Sequence, residues 1–143
     1  MECYRIEGCE RLRAGFKTNT LLKNGEDWDW ENPKNSYVCV FFTSFENIRQ
    51  IFSEEASDIA ELHKCKKGEK IFLLKINLID ETLLDPDNTG AGKCWDCSKK
   101  YKPDINLMND VEILGEAIVK TEYFEITQLN IYDYPIKVDK LFV

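Results

Sequence analysis

The chain has 143 residues, the length of one ordinary domain, and 43% of them are hydrophobic, enough for a core of its own. Charged residues make up 31% and are mixed in sign, which excludes a disordered tail. The formal net charge of −7 argues against duplex nucleic acid as a partner and leaves a small nucleotide or a basic protein open. No stretch approaches the roughly 20 apolar residues that span a bilayer. The opening Met1-Glu-Cys-Tyr-Arg-Ile lacks an apolar signal core, so a cytoplasmic protein with reduced thiols is expected despite its 6 cysteines.

Residues 2–6 read as a short first strand, and residues 9–16 as a short helix or turn. Residues 17–35 form a long polar loop with Asn24-Gly25, Trp28 and Trp30. The two tryptophans alternate, so on an extended chain they face one side, over a pocket or towards a partner. Residues 36–42 are a continuous apolar run rich in β-formers, the pattern of a strand covered on both faces. Thr43 followed by Glu46 forms a capping box that opens a helix from about residue 45 to 63. Ile48, Ile51, Phe52, Ala56, Ile59 and Leu62 make its apolar stripe.

Residues 70–79 form a second largely buried strand, followed by a long polar segment over 80–108. Residues 110–118 read as a strand interrupted by Gly115, which marks a bulge or a close backbone approach. A last strand falls somewhere within 121–133. Several strands, one good helix and long loops predict a single α+β domain over residues 1–143.

Polar residues on different strands converge on one candidate cleft. Tyr4 and Arg5 lie on the first strand, Thr43, Ser44 and Phe45 at a strand-to-helix turn, and Glu112 at the head of a later strand. An arginine fork suits a phosphate, a helix start favours an anion, and a carboxylate stabilises an oxocarbenium-like centre. Each also has a purely structural reading. Tyr4 and Arg5 suit an edge strand, Thr43 a helix cap, and Glu112 a solvent-facing position that Glu116 rivals.

The order of these parts resembles the ADP-ribosyltransferase toxin-like superfamily. The resemblance runs over about residues 3–126: Tyr-Arg on a short strand, Val-Cys-Val-Phe-Phe-Thr-Ser-Phe-Glu running into a helix, Lys-Ile-Phe-Leu-Leu-Lys-Ile-Asn-Leu, then Asp-Val-Glu-Ile-Leu-Gly-Glu-Ala-Ile-Val. It implies a split pair of antiparallel sheets with one main helix and NAD, as a substrate, in the cleft. It also implies that Tyr4 and Arg5 hold NAD and that Thr43, Ser44 and Phe45 line the nicotinamide pocket. Glu112 then assists the departure of nicotinamide and the transfer of ADP-ribose to a protein or nucleobase acceptor, as in toxins and effectors. The chain departs from the family's pattern in lacking a Ser-Thr-Ser and in having Asp110 two residues before Glu112.

Three further features stand apart. Cys94-Trp-Asp-Cys97, with His63 and Cys65 or with Cys3 and Cys9, is a candidate zinc clip, a redox pair or a set of ordinary thiols. His63 is the sole histidine and falls at a helix end, where a cation suits the dipole. With one histidine, a Ser-His-Asp hydrolase has almost no room. The second function class is a non-catalytic acidic binding protein, such as an immunity protein or toxin inhibitor, anchored by Trp28 and Trp30.

Overall fold

The computed structural model describes residues 1–23, 37–86 and 96–142. The chain enters as β1 (Glu2–Gly8) and turns directly into α1 (Cys9–Thr18). Asn19 ends that helix in the left-handed region at φ 55°, a conformation asparagine tolerates, and its N–H returns to the last-turn carbonyls. Then follow β2 (Val38–Thr43), α2 (Phe45–Leu62) and β3 (Lys70–Ile76). A 3-10 turn (Glu81–Leu83) leads into β4 (Leu84–Pro86). The chain continues through β5 (Ser98–Tyr101), α3 (Leu107–Asp110), β6 (Val111–Ile118) and β7 (Asn130–Lys137), and a final 3-10 turn spans Val138–Lys140.

The α+β class is as expected, but the described strands form one sheet rather than a split pair. Its order is β4-β5-β2-β1-β3-β6-β7, with every neighbouring pair antiparallel. β1 and β3 pair without a break from Cys3↔Ile76 to Gly8↔Ile71. β3 is apolar from Ile71 to Leu74, β1 carries Arg5 and Glu7 on one face as a buried ion pair, and neither strand holds a proline, so the ladder between them is unbroken. β1 is therefore central, flanked by β2 and β3, and the edge-strand reading of Tyr4 and Arg5 does not hold.

Alternation along the strands divides the core into two layers. On one face α2 covers Tyr4, Ile6, Ile71 and Leu73 with Ile48, Ile51, Phe52 and Ala56. On the other, Leu12 of α1, Leu21, Ile105 and Leu107 cover Phe72, Leu74 and Ile113. This double cover is why the strands read as continuous apolar runs. Burying a Leu, Ile or Phe contributes about 1.5–3 kcal/mol, so each layer is a substantial share of the fold's stability. The predicted α2 stripe holds except at its end, where Leu62 is exposed and Ala60 is buried instead.

Gly115 sits where the β6–β7 register shifts. A Cβ there would meet Asn130 O at 2.5 Å and Ile131 Cα at 3.0 Å, so the close approach read from the sequence is a backbone contact. The helix cap differs from expectation by one residue. Ser44 is the N-cap and its hydroxyl accepts from the Asn47 N–H. Thr43 is instead the last residue of β2, buried, with Oγ1 accepting from Asn47 Nδ2 at 2.7 Å. The segment 80–108, read as a long polar loop, contains β4, β5 and the start of α3 among its described residues.

Candidate functional site

Register decides which of the predicted residues meet. Tyr4 is paired with Lys75, and Lys75 with Glu112, so the three side chains form a row across one face of the sheet. This is the face that α2 covers. Neighbouring strands lie about 4.8 Å apart, which puts Tyr4 and Glu112 roughly 10 Å from each other along the row. β2 ends beside the same edge, with Thr43 opposite Glu2. Ser44 then starts α2, and the Phe45 ring lies 6.3 Å from the Tyr4 ring. Tyr4, Thr43, Ser44 and Phe45 are thus brought together, with Glu112 at the far end of the row.

Three residues that the sequence did not single out complete this corner. The Tyr4 phenol donates to the Glu2 carboxylate, and Lys75 Nζ lies 3.2 Å from Glu2 Oε1. The Tyr4 bond first, then Lys75, holds the Glu2 carboxyl below the usual carboxylate range. Burial first, then the Glu2 bond, pushes the Tyr4 hydroxyl well above its ordinary value, so it is a neutral donor in any physiological buffer. Arg49 carries its guanidinium 5.9 Å above the Phe45 ring. Phe45 is exposed and Glu112 half-buried, so both reach a ligand from solvent. Lys75 had a signal in the sequence, being the lone charge within Ile-Phe-Leu-Leu-Lys-Ile. Glu2 and Arg49 had none.

Arg5 does not join them. Alternation points it to the opposite face, in the row Arg5, Leu74, Ile113. It is 4% exposed; its Nε donates to Glu7 Oε2 at 3.0 Å and its Nη1 to the Cys39 carbonyl at 2.6 Å. Glu7, fully buried, also accepts from Arg11 Nε at 3.1 Å. The arginine fork expected to hold a nucleotide is committed to a buried carboxylate two residues along the same strand. Glu116, the rival of Glu112, also lies on that opposite face, in the row of Phe72. It accepts from Tyr132 at 2.8 Å and pairs with Lys70 at 3.1 Å.

His63 is not the cation the helix end suggested. It is the C-cap residue of α2, packed with Nδ1 3.3 Å from the Gly8 N–H and 3.2 Å from Glu7 Oε1. Burial pushes its pKa down to about 4 although Glu7 pulls the other way, so the ring is neutral at neutral pH. Burial outweighs the nearby carboxylate, and Arg5 and Arg11, which pair with Glu7, add to the lowering.

Among the described residues no group of three His, Cys, Asp or Glu side chains is arranged to hold a metal. Cys65 is buried against Gly8 with its thiol pushed up to about 11, mainly by burial, and Cys3 is pushed up to about 12 for the same reason. Cys94, and with it the Cys94–Cys97 clip, lies outside the described residues, as do Trp28 and Trp30. No described helix is long and apolar enough to cross a membrane. Comparison with protein-family models, with curated proteins and with solved structures gives no match.

Proposed function

We propose that the chain is an ADP-ribosyltransferase-like enzyme that uses NAD as substrate and works at the Tyr4–Phe45–Glu112 corner. One observation carries this reading: Tyr4, Phe45 and Glu112 share a face and an end of the sheet, beside the start of α2. The exposed Phe45 ring is a stacking wall for nicotinamide. The diphosphate lies towards the α2 N-terminus and Arg49, which take the place that the sequence reading gave to Arg5.

In the reaction the bond between C1′ of the ribose and the nicotinamide nitrogen breaks, and its electron pair leaves with nicotinamide. The Glu112 carboxylate stabilises the positive charge that develops on C1′. An acceptor heteroatom then bonds to C1′ and loses its proton to Glu112 or to solvent. The acceptor is a protein side chain or a nucleobase; water in that place gives an NAD glycohydrolase.

The test is incubation with NAD, following free nicotinamide, with Glu112→Gln beside the wild type. Release that disappears in Glu112→Gln while NAD binding persists is expected. Release that is undiminished in the variant overturns the assignment of Glu112. Absence of NAD binding overturns the enzyme reading itself.

A second reading, a non-catalytic acidic binding protein, is favoured by a different observation. Arg5 and Thr43 both have complete structural duties, one in a buried ion pair and one beneath the helix cap. A basic partner captured by the protein, with no NAD bound, would support it.

A further inference from the structure

A groove of about 730 Å³ runs between α2 and the link from β6 to β7. That volume is within the range of about 300–1,000 Å³ typical of ligand pockets. Phe52 and Ala56, both buried, join Ile126 and Leu129 as its apolar floor. Its rims carry Gln50 and Ser53 on the helix side and Thr127 and Gln128 on the other. Ser57 closes the floor by donating to the Phe124 carbonyl at 2.6 Å, which pins the link to the helix.

Three properties of the groove select a class of ligand. Its charged lining is balanced, Arg49 and Lys120 against Glu46 and Glu125, on a chain of net charge −7. A polyanion gains nothing from such a lining, whereas a neutral or mixed-charge ligand loses nothing. The two glutamine amides offer donors and acceptors together, the complement of peptide groups. Gln128 and Leu129 lie between the Val119↔Ile126 bridge and Asn130, the first paired residue of β7, and have no ladder partner among the described residues. Main chain in that condition takes up an extended segment as a sheet edge does. The groove is also continuous with the candidate site, because Arg49 lines it and stands over the Phe45 ring.

We infer that this groove binds an extended peptide segment of little net charge, and that this segment belongs to the protein acceptor of ADP-ribose. The second half rests on the transferase reading given above; the first half does not. A nucleobase carried on a nucleic-acid strand is disfavoured, because the strand's phosphates gain nothing from the balanced lining.

The experiment is hydrogen–deuterium exchange of the full chain, without NAD, in the presence of a pool of doubly capped hexapeptides of randomised Ala, Gln, Leu, Lys and Glu. An oligothymidine at equal concentration is the control. Saturable protection of residues 46–57 and 120–129 by the peptides alone is expected. Ser53→Trp and Gln128→Trp, both at exposed positions, should each weaken it by about tenfold or more without moving the unfolding midpoint. No protection by the peptides, protection that survives both substitutions, or protection by the oligothymidine instead would overturn the inference. Because NAD is absent, peptide binding and nicotinamide release succeed or fail independently. A groove that binds peptide in a protein that never releases nicotinamide refutes the enzyme and leaves the peptide site standing.

Discussion

Replacing Glu7 by alanine probes the least expected feature of the molecule. The carboxylate is fully buried and accepts from Arg5 at 3.0 Å and from Arg11 at 3.1 Å. Arg11 is about a quarter exposed (24% for its side chain), so it recovers water when Glu7 is lost. Arg5 is enclosed and among the described residues keeps the Cys39 carbonyl alone. An unpaired buried charge of this kind costs about 3–5 kcal/mol, and Glu7→Ala is expected to fall in that range. At about 2–4 °C per kcal/mol for a domain of this size, the melting temperature drops by roughly 10 °C. Urea unfolding followed by circular dichroism reads the loss as a lower midpoint at an unchanged slope.

The double variant Arg5→Met with Glu7→Leu removes both charges together and should recover much of the loss, since apolar replacement of a buried pair is often neutral. A loss below about 1 kcal/mol in Glu7→Ala would show that Arg5 does not depend on this carboxylate. So would a double variant as unstable as the sum of the two singles. Arg5→Met alone separates structure from function: it should lower stability and leave NAD affinity unchanged. Intact stability with lost NAD binding would return Arg5 to the site.

Three other outcomes are expected. Ser44→Ala should cost about 1 kcal/mol of stability, and Glu46→Ala only a few tenths, because Ser44 is the residue that caps α2; equal losses in urea melts would restore the capping box. Gly115→Ala should cost about 1–3 kcal/mol, since the new methyl meets backbone atoms of Asn130 and Ile131 that have no rotamer to yield; a neutral melt would show that β7 moves freely. Burial lowers the His63 pKa from its ordinary 6.5 to about 4, so between these values the unfolded chain binds more protons than the folded one. The stability that neutral His63 contributes is therefore complete above pH ~6.5 and is lost as pH falls towards ~4. His63→Gln should flatten that part of the stability–pH curve, measured by urea midpoints at stepped pH; an unchanged slope would assign the acid sensitivity elsewhere.

The sequence by itself determined the elements whose signal is local. The apolar stripe from Ile48 to Ala56 specified α2 because 3.6-residue periodicity needs no partner to be read. The apolar runs at 38–42 and 71–74 specified largely buried strands. Gly115 announced a close approach because no side chain fits there. The sequence reading grouped Tyr4 and Arg5 in one cleft, although neighbours on a strand face opposite ways; which face held the candidate site depended on Lys75 and Glu112 pairing two strands away. β5 was missed because Ser-Lys-Lys-Tyr has no apolar run; it is a strand because β2 and β4 bond its two edges and the core receives Tyr101. Glu7 and His63 were ordinary residues until β1, α1 and the end of α2 closed around them. Only the tertiary structure decided those pairings, because they join residues far apart in the chain, and local pattern carries no information about which distant group will satisfy a buried charge.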